Sequence, residues 1–157
     1  DYADLYRKGY RGVIFDIDNT LVPHGAPATK EAAAFFASLR ETGFSTCLLS
    51  NNQKPRVAPF ADAVGSIYIE NAHKPSVKNY QEACRRMGIK EEQAVFVGDQ
   101  LFTDVYSAKR TELYNILTET INPKEEIQIV LKRYLEHIVL FFYERDLARG
   151  RITKKNS

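Results

Sequence analysis

The chain starts with a polar stretch, after which apolar and polar positions fall into blocks that read in turn as strand and helix. Gly12 to Asp18 (GVIFDID) is a short apolar run of β-branched and aromatic residues ending in acid, the pattern of a strand buried on both faces. Asn19 to Ala28, with Pro23, Gly25 and Pro27, reads as a loop, and Thr29 to Thr42 as a helix stopped by Gly43. Thr46 to Leu49 predicts a second strand running into Ser50, Asn51 and Asn52. Lys54 to Ala63 predicts a helix whose start is roughened by Pro55 and Pro59, and Ser66 to Ile69 a short strand. Pro75 suits the first turn of a helix that runs to Met87 and stops at Gly88. Ala94 to Val97 is a strand broken at Gly98 and Asp99; a short helix from Thr103 to about Arg110 and a strand from Leu113 to Thr118 follow. A last helix starts at a cap with Asn122 before Pro123 and Glu125, and runs towards Gly150.

Strand and helix alternating five times predict an α/β fold, a doubly wound and mostly parallel sheet with helices on both faces. Residues 1–157 are expected to form a single domain, with a core over about 11–118 and a C-terminal helix and basic tail over about 123–157. The composition agrees: 157 residues, 44% hydrophobic and 27% charged, suit one globular domain and exclude collagen-like, coiled-coil and disordered classes.

Charge changes the picture at one end. From Arg145 on, five basic groups face one acid, so this tail carries +4 of a chain total of +2 and the rest is slightly acidic. Such a tail is either a solvated end or a contact for an anionic surface. Cys47 and Cys84 sit inside apolar or helical patterns, which predicts buried, reduced thiols. No run reaches the ~20 apolar residues of a membrane span and no secretory h-region is visible, so the expected location is cytoplasmic.

Parallel sheets hold ligands at the carboxyl ends of their strands. Asp16, Asp18 and Thr20 follow the first strand, Ser50 and Asn51 the second, and Asp99 and Asp104 the fourth, while Lys74 comes just before the third helix. Singly, each has a plain explanation as a helix cap, a turn or an exposed lysine. Together they bring four carboxylates to one edge, where mutual repulsion calls for a divalent cation, and oxygen ligands favour Mg²⁺. A hydroxyl and a lysine are what a phosphoryl group needs.

The segments DIDNT (16–20), SNN (50–52), KP (74–75) and GDQLFTD (98–104) resemble, in order, the four motifs of the haloacid dehalogenase superfamily of phosphotransferases. The resemblance covers about residues 11–118. It implies that Asp16 is the nucleophile that becomes an aspartyl-phosphate, and that Asp18 is the general acid and then base. Ser50, Lys74, Thr20 and Asn51 would bind the phosphoryl group. Mg²⁺ would be held by Asp16 and Asp99 and by the backbone carbonyl of Asp18, with Asp104 helping through water or by orienting Lys74. An acid two residues after the nucleophile favours hydrolysis of a phosphomonoester.

Most members of this superfamily that act on small metabolites carry a cap domain inserted after the first or the second motif. Here 32 positions separate Asp18 from Ser50 and 24 separate Ser50 from Lys74, which leaves no room for one. An uncapped site suits a bulky phosphorylated substrate such as a macromolecule or a lipid head group. The GDQLFTD run is similar to the YqeG-like group and to phosphatidylglycerophosphate phosphatases, which implies phospholipid metabolism. In the last helix Ile127, Leu131, Tyr134, Ile138 and Phe141 form a stripe that predicts packing on the body or in a homo-oligomer. The sharper reading places this end, with its basic tail, on an anionic membrane at its inner face. Nucleic acid is not favoured. The rival reading is a non-enzymatic regulatory or receiver-like phosphoacceptor protein. A receiver would carry its paired acids first and its lysine last, the reverse of this order.

Overall fold

Five short strands, β1 (Gly12–Phe15), β2 (Ser45–Leu49), β3 (Ile67–Ile69), β4 (Ala94–Gly98) and β5 (Tyr114–Leu117), form one sheet in the order β3-β2-β1-β4-β5, with every neighbouring pair parallel. The computed structural model describes residues 1–74, 76–99, 113–119, 121, 135, 136, 139 and 145. The chain divides into two compact units, 1–122 and 123–157. The sheet lies in the first; in the second, Leu135, Glu136, Val139 and Arg145 are helical.

Alternation along the strands sorts the core into two layers, because successive side chains of a strand point to opposite faces. Val13 and Phe15 join Leu48, Val95 and Val97 on the face covered by α2 (Lys30–Thr42) and α3 (Lys54–Val64), through Phe36, Leu39, Val57 and Phe60. Ile14, Cys47, Leu49 and Phe96 face α4 (Val77–Met87) through Tyr80, Ala83 and Cys84. With helices on both sides the central strands have no wet face, which is why β1 and β4 are buried at every position. Both thiols are free and buried, and burial pushes Cys47 up to about 12 and Cys84 to about 11, so neither ionises at neutral pH.

Helix ends follow their sequence signals. Thr29 Oγ1 accepts from the Ala32 N–H at 3.1 Å, and Gly43 closes α2 in the left-handed region at φ 106°. Gly88 closes α4 in the same way. Three boundaries differ from expectation. The helix expected to include Pro75 starts at Val77, with Ser76 as its N-cap. The first strand ends at Phe15 rather than Asp18, because Asn19 takes a left-handed φ of 63° and its N–H donates to the Val22 carbonyl at 2.7 Å, folding 16–22 into a hook. The polar opening contains α1 (Tyr2–Arg7), whose Tyr2 and Tyr6 pack edge-on against Phe35 and Phe44 at 5.4 and 5.3 Å. The expected helix at 103–110, the cap at 122–125 and most of the last helix lie outside the described residues.

The strand order fixes where a ligand can enter. From β1 the chain builds β2 and β3 on one side and then crosses to β4 and β5 on the other, so a crevice opens between the carboxyl ends of β1 and β4. Between β1 and β2 the only further element is α2, and between β2 and Lys74 there are only α3 and β3. Neither interval contains an inserted domain.

Candidate active site

Asp16 leaves β1 at this crevice. Its N–H still donates to the Val97 carbonyl at 2.9 Å, so the ladder with β4 holds its backbone while the side chain stands at the strand end. Lys74 Nζ lies 2.5 Å from Asp16 Oδ1, and the two side chains are only 4% and 9% exposed. A buried pair of this kind is costly to desolvate and carries little net stability, so its placement at a crevice points to chemistry.

Lys74 is delivered by its backbone. Asn51 Oδ1 accepts from the Lys74 N–H at 2.7 Å, and the Ser50 carbonyl accepts from the Ala72 N–H at 2.9 Å, stitching the turn after β2 to the segment that carries the lysine. Asn71 and His73 take left-handed φ values of 46° and 47° on either side of Ala72, so this segment is bent to bring Lys74 inward. Ser50 is buried and its Oγ accepts from the Asn52 N–H at 3.1 Å, which orients the hydroxyl. In this arrangement the Asn51 side-chain oxygen is engaged with the Lys74 backbone rather than turned to a phosphate position.

Asp18 is clamped by three donors. Oδ1 accepts from the Gly25 N–H at 2.8 Å and from an Arg56 guanidinium nitrogen at 2.9 Å, and Oδ2 accepts from Asn52 Nδ2 at 2.6 Å. Nothing in the sequence pattern gives Asn52 or Arg56 a role. Asn52 stands inside the SNN segment. Arg56 stands in the first turn of α3, where there is no acidic residue and where the helix dipole disfavours a cation, a feature it shares with Lys54 and that does not single it out in the sequence. Asp99 closes β4 and is buried, and the Thr20 hydroxyl donates to its Oδ1 at 3.5 Å, a long contact. Asp16, Asp18, Ser50, Lys74 and Asp99 are thus all buried polar groups at the strand ends, with Thr20 and Asn51 beside them. Asp104 lies outside the described residues. His24 and His73 are exposed.

The donor set fits Mg²⁺. The Asp16 and Asp99 carboxylates end neighbouring strands and are hard oxygen ligands, and Mg²⁺ is commonly held by one or two carboxylates with water and phosphate oxygens completing its shell. Among the described residues no group of three acidic, His or Cys side chains gathers as a metal site, and the Asp18 carboxylate is taken up by its three donors instead.

Comparisons with known proteins agree with this geometry. The family model described as haloacid dehalogenase-like hydrolase matches residues 24–111. "Probable phosphatase YqeG" of Bacillus subtilis (strain 168) is 33% identical over 142 residues, 90% of this chain and 83% of that protein. The Arabidopsis thaliana protein named "Phosphatidylglycerophosphate phosphatase 1, chloroplastic/mitochondrial" is 28% identical, covering 96% of this chain and 45% of its own length. A crystal structure of a protein from Listeria monocytogenes serotype 4b shares the fold at a TM-score of 0.59 and 17% identity, over 74% of this chain and 84% of that one. A matched family model over more than half the chain, a relative aligned over most of both lengths, and buried acids with a lysine at the switch point of a parallel sheet lead to one conclusion: the chain belongs to the haloacid dehalogenase-like hydrolase family, among its phosphatases.

Proposed function

We propose that the chain hydrolyses a phosphomonoester in two displacements, with Mg²⁺ as cofactor and Asp16 as the nucleophile. The observation that carries this reading is the buried Asp16–Lys74 pair with the clamped Asp18 two residues on. A carboxylate oxygen of Asp16 attacks phosphorus; the bond to the leaving oxygen breaks, and that oxygen takes the electron pair and a proton from Asp18. Asp18 then removes a proton from water as its oxygen attacks phosphorus, the P–O bond to Asp16 breaks, and phosphate leaves. Lys74 and the Ser50 hydroxyl hold phosphoryl oxygens as charge builds on them. Bound Mg²⁺, held by Asp16 and Asp99, would neutralise phosphate charge and align it.

The absence of an inserted domain between β1 and Lys74 supports a bulky substrate, since nothing in those intervals covers the crevice. A lipid phosphomonoester of the phosphatidylglycerophosphate type fits this opening and the likeness to the Arabidopsis protein. The basic tail supports contact with an anionic membrane, and no described helix is long and apolar enough to cross one. A phosphate-release screen with Mg²⁺, covering phosphatidylglycerophosphate, sugar phosphates, nucleotides and phosphopeptides, tests the reading. Turnover is expected with the lipid and is lost in Asp16→Asn, an isosteric change whose amide oxygen still accepts from Lys74 and which leaves the far-UV spectrum unchanged. Full activity in that variant sinks the mechanism, and a clear preference for a small sugar phosphate sinks the substrate class.

A further inference from the structure

We propose that Arg56 is a positioning residue: together with the Gly25 N–H it saturates Oδ1 of Asp18, so that proton exchange with the substrate is confined to Oδ2. This rests on the acid–base role given to Asp18 above and adds the device that aims it.

A carboxylate offers about four lone-pair directions, two on each oxygen. Both directions of Asp18 Oδ1 are used, by Gly25 at 2.8 Å and by Arg56 at 2.9 Å, while Oδ2 receives only Asn52 at 2.6 Å. One direction on Oδ2 is left over among the described donors. The three donors come from three separate segments, the loop after β1, the turn after β2 and the first turn of α3, so the carboxylate is fixed against rotation from several sides.

Nor is the Arg56 contact an ordinary surface bridge. The two side chains are 22% and 11% exposed, and the cation stands in the first turn of a helix, where its charge opposes the dipole. The pair is also single-pronged. One guanidinium nitrogen reaches Oδ1, while the buried Nε finds no acceptor among the described residues. An arginine placed for stability would be expected to use its two-pronged geometry. One placed to occupy a single lone pair need not, and a lysine could make the same single bond.

The test uses the leaving group. p-Nitrophenolate departs without a proton, whereas the alkoxide of glycerol 3-phosphate needs one, and kcat/KM reads the first displacement, in which that proton moves. Arg56→Ala should lower kcat/KM for glycerol 3-phosphate by about 10²-fold, the scale of a misplaced catalytic group, and for p-nitrophenyl phosphate by about threefold at most. Arg56→Lys should recover most of the alkyl loss. Arg56→Met, which keeps an unbranched stem and removes the charge and every donor, provides the same ratio if the alanine variant does not fold. Equal losses on both substrates, or no loss on either, would overturn the proposal so long as Asp18→Asn still shows the selective alkyl loss. If Asp18→Asn lacks that selectivity, the acid–base assignment itself fails.

Discussion

Lys74 has its cation next to the Asp16 carboxylate with both side chains nearly out of solvent, so removing it takes the paired cation away from a buried carboxylate. Lys74→Ala should therefore cost about 3 kcal/mol of folding stability, seen as a lower urea midpoint, in addition to abolishing turnover. An unchanged midpoint would mean that the pair is much better hydrated than its burial indicates. Asp16, Asp18, Ser50 and Asp99 could be picked out from the sequence because each follows an apolar run, and strand ends in parallel sheets converge; Lys74 could be picked out by its place just before the third helix. Asn52 and Arg56 could not, because their role lies in contacts made across 34 and 38 positions of chain. No local pattern encodes such a distance. Asn51 shows the same limit from the other side: its position was foreseen, but its side-chain oxygen binds the Lys74 backbone.

At the scale of elements, α1 is where burial and pattern part company. Six residues are too few for a helical period to stand out, yet Asp1 caps the turn and the two tyrosines bury against α2 and the start of β2. Burial pushes Tyr2 from 10.0 up to about 12. A raised folded value means that the neutral phenol is favoured in the native state; the stability it contributes is complete below pH 10 and is lost as pH rises through about 12. Tyr2→Phe should make the fall in thermal midpoint across that window shallower than in the unaltered chain, and parallel slopes would show that Tyr2 is hydrated in the fold. The other element ends were legible because their chemistry is local. Thr29 and Gly43 bracket α2 as a cap and a left-handed stop, and an alanine Cβ at Gly43 would lie 2.6 Å from the Tyr6 hydroxyl.

For the molecule as a whole, charge is divided between an acidic body and a tail of +4. If the tail meets anionic lipid, vesicles containing phosphatidylglycerol should bind the protein at low salt and release it at moderate salt, because each basic group near such a surface contributes about 1 kcal/mol that screening removes. Deleting residues 145–157 should abolish that binding and spare p-nitrophenyl phosphate hydrolysis. Failure to bind even at low salt would remove the membrane from the account. Strand order bears on how the protein is made as well as on what it does. The strand that leads into Asp16 is the first of the sheet to leave the ribosome, and it is central: Gly12 pairs with Ser45 on one side and with Ala94 on the other. A nascent chain therefore holds β1 with one edge open until β4 follows, with Ala94 pairing 82 positions after Gly12, a contact order that makes folding slow and leaves the edge available to other chains. Asp16 is translated well before the strand that completes its crevice, so a product terminated before β4 carries this carboxylate without the neighbouring strand that holds its backbone.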